Sequence, residues 1–173
     1  MQNWSENSRQ ILEVLRNPEQ TFSWYIIPLL LIVMYIYTKE AHKGNWNIFL
    51  AGLALFGMDL FNETWNSMVF YISGYAPVWG TPGDSALVIL PGWNIEILFM
   101  FAIMGIVAAY TLPEDKQKKI MGIPNRWFLA VLLSVFAVVV ECLLNLVGAL
   151  TWDYTWWDMD TPWLIFLIGY LPF

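Results

Sequence analysis

The stretch that decides the fold is WFLAVLLSVFAVVVECLLNLVGAL, residues 127–150, in which Glu141 is the single charged side chain. Twenty-four residues of this kind are enough to cross a bilayer. About twenty apolar residues rising 1.5 Å each span a hydrocarbon core of roughly 30 Å. A carboxylate inside such a run costs about 2.5 kcal/mol or more, so it marks a functional site unless another account is found for it. Working outward, Asp59, Glu63 and Glu96 lie in other apolar runs.

Composition agrees with residence in a membrane. The chain is 58% hydrophobic, 17% aromatic and only 13% charged, against roughly 25% charged residues in soluble domains; its mean hydropathy is +0.54. The net charge of −6 disfavours nucleic acid and supplies no polybasic arm for anionic lipid. The single cysteine, Cys142, excludes an internal disulfide and reads as a small buried hydrophobe. The single histidine, His42, sits beside Lys43. Neither haem nor a histidine-ligated metal is expected, and serine–histidine chemistry within the membrane is excluded for this chain acting alone. The apolar runs contain no lysine for a Schiff base.

The expected fold is all-α: a polytopic, multi-pass helical bundle with four full spans and the start of a fifth. Residues 1–21 form a polar N-terminal segment. In it Ser5 can cap a short helix bearing Ile11, Leu12, Val14 and Leu15, ended by Pro18. That helix would lie on the bilayer surface or against a neighbouring subunit. Residues 22–173 form the transmembrane domain, with spans over 22–38, 46–72, 93–110 and 127–150. A fifth begins at Pro162 and is too short to cross, so the natural chain is expected to continue beyond residue 173.

Orientation is read from the basic residues. Lys39 and Lys43 lie in 39–45, and Lys116, Lys118, Lys119 and Arg126 lie in 113–126, whereas 73–92 and 151–161 hold none. The positive-inside rule makes the first two connections cytoplasmic, and the latter two, with the amino terminus, extracytoplasmic. A weak repeat follows the same layout. Glu63 and Asn66 precede an aromatic connection and Pro91-Gly92-Trp93; Glu141 and Asn145 precede another and Pro162-Trp163. Duplication and convergent interface composition both account for it.

Spacing then gathers a candidate site. Asp59 and Glu63 are four apart, as are Asn62 and Asn66, so all four share one broad helical face. Asn94 and Glu96 fall near the start of the next span, and Glu141 and Asn145 in the one after. In this topology all of them occupy the outer half of the membrane. No lysine or arginine in the spans neutralises the carboxylates. Either some carry a proton, or a bound cation supplies the charge. A structural reading also holds, in which Glu and Asn tie helices together by hydrogen bonds. Trp79, Trp152, Tyr154, Trp156, Trp157 and Trp163 would form an interfacial aromatic belt, a lid over the site, or a docking surface.

Three functions follow. The first is an enzyme using acid–base chemistry on a lipid or isoprenoid, with Glu141, Glu63 and Asp59 catalytic. Asn62, Asn66, Asn94, Glu96, Asn145, Trp152 and Trp156 would bind substrate. The second is cation or proton handling, for which carboxylate and amide oxygens suit a hard divalent ion; the apolar inner halves of the spans count against full translocation. The third is a non-catalytic membrane subunit. Membrane lipids, and in the third case other membrane subunits, are the expected partners.

Overall fold

The computed structural model describes residues 3–15 and 23–173. Pro18, expected to end the first helix, and Phe22, expected to open the first span, lie outside these residues. Helix α1 is Glu6–Leu15, with Ser5 capping it: the Ser8 N–H donates to Ser5 Oγ at 3.0 Å. Its apolar face turns onto the chain itself, burying Ile11 and Leu12.

Helices α2 (Ile26–His42) and α3 (Trp46–Ser73) follow. Gly74 ends α3 in the left-handed conformation, its N–H returning to the Phe70 carbonyl. A short antiparallel pair, β1 (Val88–Leu90) and β2 (Trp93–Asn94), leads into α4 (Ile95–Thr111). Helix α4 packs closely along α3 because Gly105 has no side chain. A Cβ there would meet the Ala51 carbonyl at 2.5 Å and Gly52 Cα at 2.8 Å. A second hairpin, β3 (Lys119–Ile120) and β4 (Ile123–Pro124), leads into α5 (Asn125–Leu146). The chain closes with one helical turn, α6 (Pro162–Leu164), continuing as a π-helix over Ile165–Tyr170.

The expected bundle of four spans and a fifth does not hold. Among the described residues α5 is the one helix both long and apolar enough to cross a membrane. The reasons are physical. Helices α2 and α4 have 17 residues each, about 26 Å at 1.5 Å per residue, against roughly 30 Å for the hydrocarbon core. The charged end of α2, Lys39 and Glu40, shortens its apolar part further. Helix α3, with 28 residues, is long enough, but Asp59, Glu63, Asn62 and Asn66 hold its hydropathy down. The apolar run at 93–110 contains a strand before the helix begins, and the run at 127–150 passes the end of α5 into a turn at Gly148. On α5 only 17% of the apolar window is buried, and Leu132, Val135, Phe136, Val139 and Leu143 face outward. That surface suits lipid.

The connections 73–92 and 151–161 form a single roof. Gly80 and Thr151 exchange backbone hydrogen bonds of 3.0 and 2.8 Å, and the Tyr154 hydroxyl donates to the Ala76 carbonyl at 2.9 Å. Helix α1 fastens both. Its Ser8 hydroxyl donates to the Tyr75 carbonyl at 3.0 Å, Asn7 donates to Asp153 at 3.0 Å, and Ile11 lies against Gly80. Beneath the roof, Val78, Trp157, Val138 and Ile165 form a buried apolar cluster.

Candidate functional site

Asp59, Glu63 and Asn66 project from one face of α3 into the interior, as their spacing requires. They are 3, 4 and 0% exposed, and Glu141 on α5 is 8% exposed. The roof reaches down to them. Trp79 Nε1 donates to Glu63 Oε1 at 2.5 Å. Asn66 completes the bracket: its Oδ1 accepts from the Val78 N–H at 2.7 Å and the Trp79 N–H at 3.3 Å. Its Nδ2 donates to the Trp79 carbonyl at 2.8 Å and reaches Glu63 Oε2 at 3.4 Å. A turn lower on α3, Asp59 Oδ2 accepts from Trp93 Nε1 at 2.7 Å. Each α3 carboxylate thus rests on an indole.

Gly92 backs this arrangement. A Cβ there would meet Asn66 Nδ2, Glu63 Oε2 and Trp79 Cδ1, each at 2.7 Å. Only a residue without a side chain lets the β1–β2 turn lie over the carboxylate.

Glu141 completes the group from α5. It pairs with the buried hydroxyl of Tyr170, at the end of the π-helix, and Tyr170 in turn feels the charges of Asp59 and Glu63. Glu141 and Asp59 both act electrostatically on Glu63. Glu141 Oε2 is buried without a hydrogen-bond partner, as are the indole nitrogens of Trp152 and Trp157, Thr81 Oγ1 and Asn125 Oδ1. Buried polar atoms are nearly always satisfied. Glu141 Oε2 is the carboxylate oxygen among these exceptions, and Trp152 and Trp157 share the apolar cluster that includes Val138, three residues before Glu141 on α5. The ion pairs Arg9–Glu6 and Lys43–Glu40 lie elsewhere.

The other predicted residues separate into three kinds. Asn94 caps α4, accepting from the Ile97 N–H at 2.9 Å, and Asn145 donates to the Leu150 carbonyl at 3.2 Å beyond the end of α5. Glu96 is held by the Tyr25 and Ser85 hydroxyls and by the Ala86 N–H, apart from the three carboxylates. Asn62 is half-buried. Of the aromatic residues, Trp152 packs on the cluster beneath the roof, while Trp156 is 41% exposed and rests on Tyr154 and Trp157. Among the described residues no three His, Cys, Asp or Glu side chains converge as a metal site would need.

Tyr170, Trp93 and Gly92 were missed as site residues. The signal for Tyr170 was present, since it is the one hydroxyl in the apolar residues 163–173. Trp93 was visible only as an aromatic opener of a helix; no spacing rule pairs it with Asp59, 34 residues earlier.

A half-open groove of about 350 Å³ lies beside the site, between α1 and α3, lined by Trp4, Leu12, Leu15, Phe70, Tyr71 and Pro91. Pro91 is the residue before Gly92, so one end of the groove reaches the turn that backs Glu63.

Fold and site together define a helical membrane protein whose buried carboxylates are held by indole, amide and phenol groups. The chain belongs to a family described as an uncharacterized membrane protein family, whose model matches residues 5–173. It is similar to an uncharacterized protein of Archaeoglobus fulgidus, 53% identical over 169 residues that cover 98% of this chain and 80% of the relative. No solved structure matches the chain.

Proposed function

We propose that the group Asp59–Glu63–Glu141–Tyr170 is an acid–base site acting on a membrane-resident lipid or isoprenoid. Glu141 is the group that exchanges a proton with substrate, Glu63 is its partner, and Asp59 sets the local charge. Asn66 and the Trp79 indole hold Glu63 in place; Trp152, Trp157 and the half-buried Asn62 supply polar contacts to the substrate, and Trp156 shields the roof.

The observation that carries this reading is the buried, unpartnered Oε2 of Glu141 on a side chain whose other interaction is with Tyr170. A glutamate kept only to tie helices together would have both oxygens satisfied, because a half-satisfied buried group is costly. A carboxyl that moves a proton needs a free oxygen. The groove at Pro91 supports a largely apolar substrate, since its lining is mainly aliphatic and aromatic, with Ser67 among it. The cation reading is weaker on the same geometry. Among the described residues no three His, Cys, Asp or Glu side chains converge as a metal ion would need.

In this reading α5 crosses the membrane with Lys116, Lys118, Lys119 and Arg126 on its cytoplasmic side. The roof lies on the opposite side.

The test uses solvent deuterium. Purified protein is incubated in D₂O with a lipid extract of its native membranes, and the lipids are examined by mass spectrometry. Acid–base work at carbon incorporates deuterium into one lipid class with the wild-type protein and not with Glu141→Gln. Equal incorporation by both proteins, or none by either, removes the reading.

A further inference from the structure

The hairpin that leads into α5 takes no part in the site. β3 and β4 pair as Lys119↔Pro124 and Ile120↔Ile123, leaving Met121 and Gly122 as a two-residue turn. Both have positive φ, +50° and +84°, the conformation of a type I′ turn. Gly122 adopts it freely. Met121 does so against the repulsion of its Cβ, at a position where Asn, Asp or Gly is usual. Met121 is also 88% exposed, so packing within the chain does not account for a long apolar side chain at this tip. Backbone strain of this kind is kept where something outside the local structure uses it.

Its neighbours show what that is. Ile123 is exposed, and so are Lys116, Lys118 and Lys119. The acidic residues of the same connection are Glu114 and Asp115, and Asp115 is engaged locally, accepting from the Gln117 N–H at 2.8 Å. Arg126 donates to the Pro113 carbonyl at 3.2 Å. The base is rigid: Asn125, fully buried, ties its N–H to the Lys118 carbonyl at 3.1 Å and its Nδ2 to the Asp115 carbonyl at 2.5 Å. Trp127, in the first turn of α5, is 65% exposed. Along the chain this gives lysines, an apolar tip, an indole, then α5, the one candidate membrane span among the described residues.

We propose that this hairpin is an interfacial anchor that selects an anionic lipid leaflet. Met121 and Ile123 enter the boundary between headgroups and acyl chains, level with Trp127, where amphipathic rings settle. Lys116, Lys118 and Lys119 engage headgroup phosphates. The chain has no polybasic arm; the fold instead gathers three lysines at a two-stranded hairpin, Lys119 in β3 and Lys116 and Lys118 in the turn just before it. An anionic surface fits them by charge, and a bilayer fits the apolar tip.

The test is native mass spectrometry of the full chain, extracted from nanodiscs of phosphatidylcholine and phosphatidylglycerol in equal parts. The wild-type protein retains phosphatidylglycerol in preference. Replacing Lys116, Lys118 and Lys119 by Gln lowers that preference, by up to about fivefold per lysine. Met121→Asn separates anchoring from folding. Asn suits the turn, so the thermal midpoint in detergent holds or rises while lipid retention falls. Retention unchanged in the lysine variant or in Met121→Asn overturns the proposal. So does a Met121→Asn protein that loses thermal stability, because Met121 would then be packing within the chain.

Discussion

The indole nitrogen of Trp79 donates to Glu63 Oε1 at 2.5 Å, joining the roof to the centre of α3 across sixteen residues of sequence. A neutral donor on a buried carboxyl satisfies one oxygen without cancelling its charge. The Trp79 ring also packs, tilted by 33°, against Trp65 at 6.1 Å and Trp157 at 5.8 Å. One side chain therefore fixes the acid and supports the aromatic layer above it.

Trp79→Phe keeps an aromatic ring but removes the N–H together with part of the indole's packing surface. We expect a loss of about 1–3 kcal/mol, the cost of leaving a buried acceptor unsatisfied. Combined with Glu63→Leu, the second change should cost less than it does alone. Thermal or denaturant unfolding of the two single variants and the double variant checks both statements. Additive effects would show that the bond contributes nothing of its own.

Much of this site was legible in sequence. Helical spacing alone placed Asp59, Glu63 and Asn66 on one face, and an acid in an apolar run pointed to Glu141. The partners were not legible, because Trp79, Trp93 and Tyr170 reach the acids through turns and a π-helix, where no short period relates them. The fold was read less well. Apolar run length overstates helix length here, because strand β2 occupies the start of one run and the turn at Gly148 the end of another. Asn94, Glu96 and Asn145 looked like site residues for the same reason: a polar side chain at a helix end and one in mid-span look alike until the ends are fixed.

Gly92→Ala should disturb the site while leaving the rest of the fold in place. Its Cβ would press on Asn66, Glu63 and Trp79 together, and overpacking of this kind costs about 1–3 kcal/mol. The control is Gly57→Ala on α3. A Cβ there meets nothing within 4 Å, and the change should stabilise the helix by about 1 kcal/mol. Thermal midpoints moving in opposite directions are the expected result.

Helix α1 should act as a clasp on the roof. Ile11 is fully buried against Gly80, and Ile11→Ala should cost about 2–5 kcal/mol. Limited proteolysis should then cut within 3–15 and 73–92 before the remainder of the chain. Cleavage confined to 113–126 would show that α1 is not holding the roof.

The opposite end of the molecule has its own pH dependence. The Tyr110 hydroxyl donates to Glu40 at 2.6 Å and Asn45 donates at 2.8 Å. The Tyr110 hydroxyl, followed by Asn45, holds the Glu40 carboxyl below its ordinary value against an opposing contribution from burial. A carboxylate whose folded pKa is lowered contributes stability above its unfolded pKa, about 4.3 for Glu. It loses that contribution as pH falls through the lower folded value. Tyr110→Phe should therefore reduce stability at neutral pH and flatten the acid limb of the stability profile. A parallel downward shift at every pH would contradict this assignment.

In the proposed reading Glu141 works on a ligand rather than only on its neighbours. The most direct measurement is a mass-spectrometric and elemental inventory of what co-purifies with the wild-type protein and with Glu141→Gln, each checked for an unchanged thermal midpoint. The expected result is a stoichiometric lipid or isoprenoid on the wild-type protein that is lost from the variant. A stoichiometric metal lost in its place, the same lipid kept by both proteins, or nothing retained by either would contradict it.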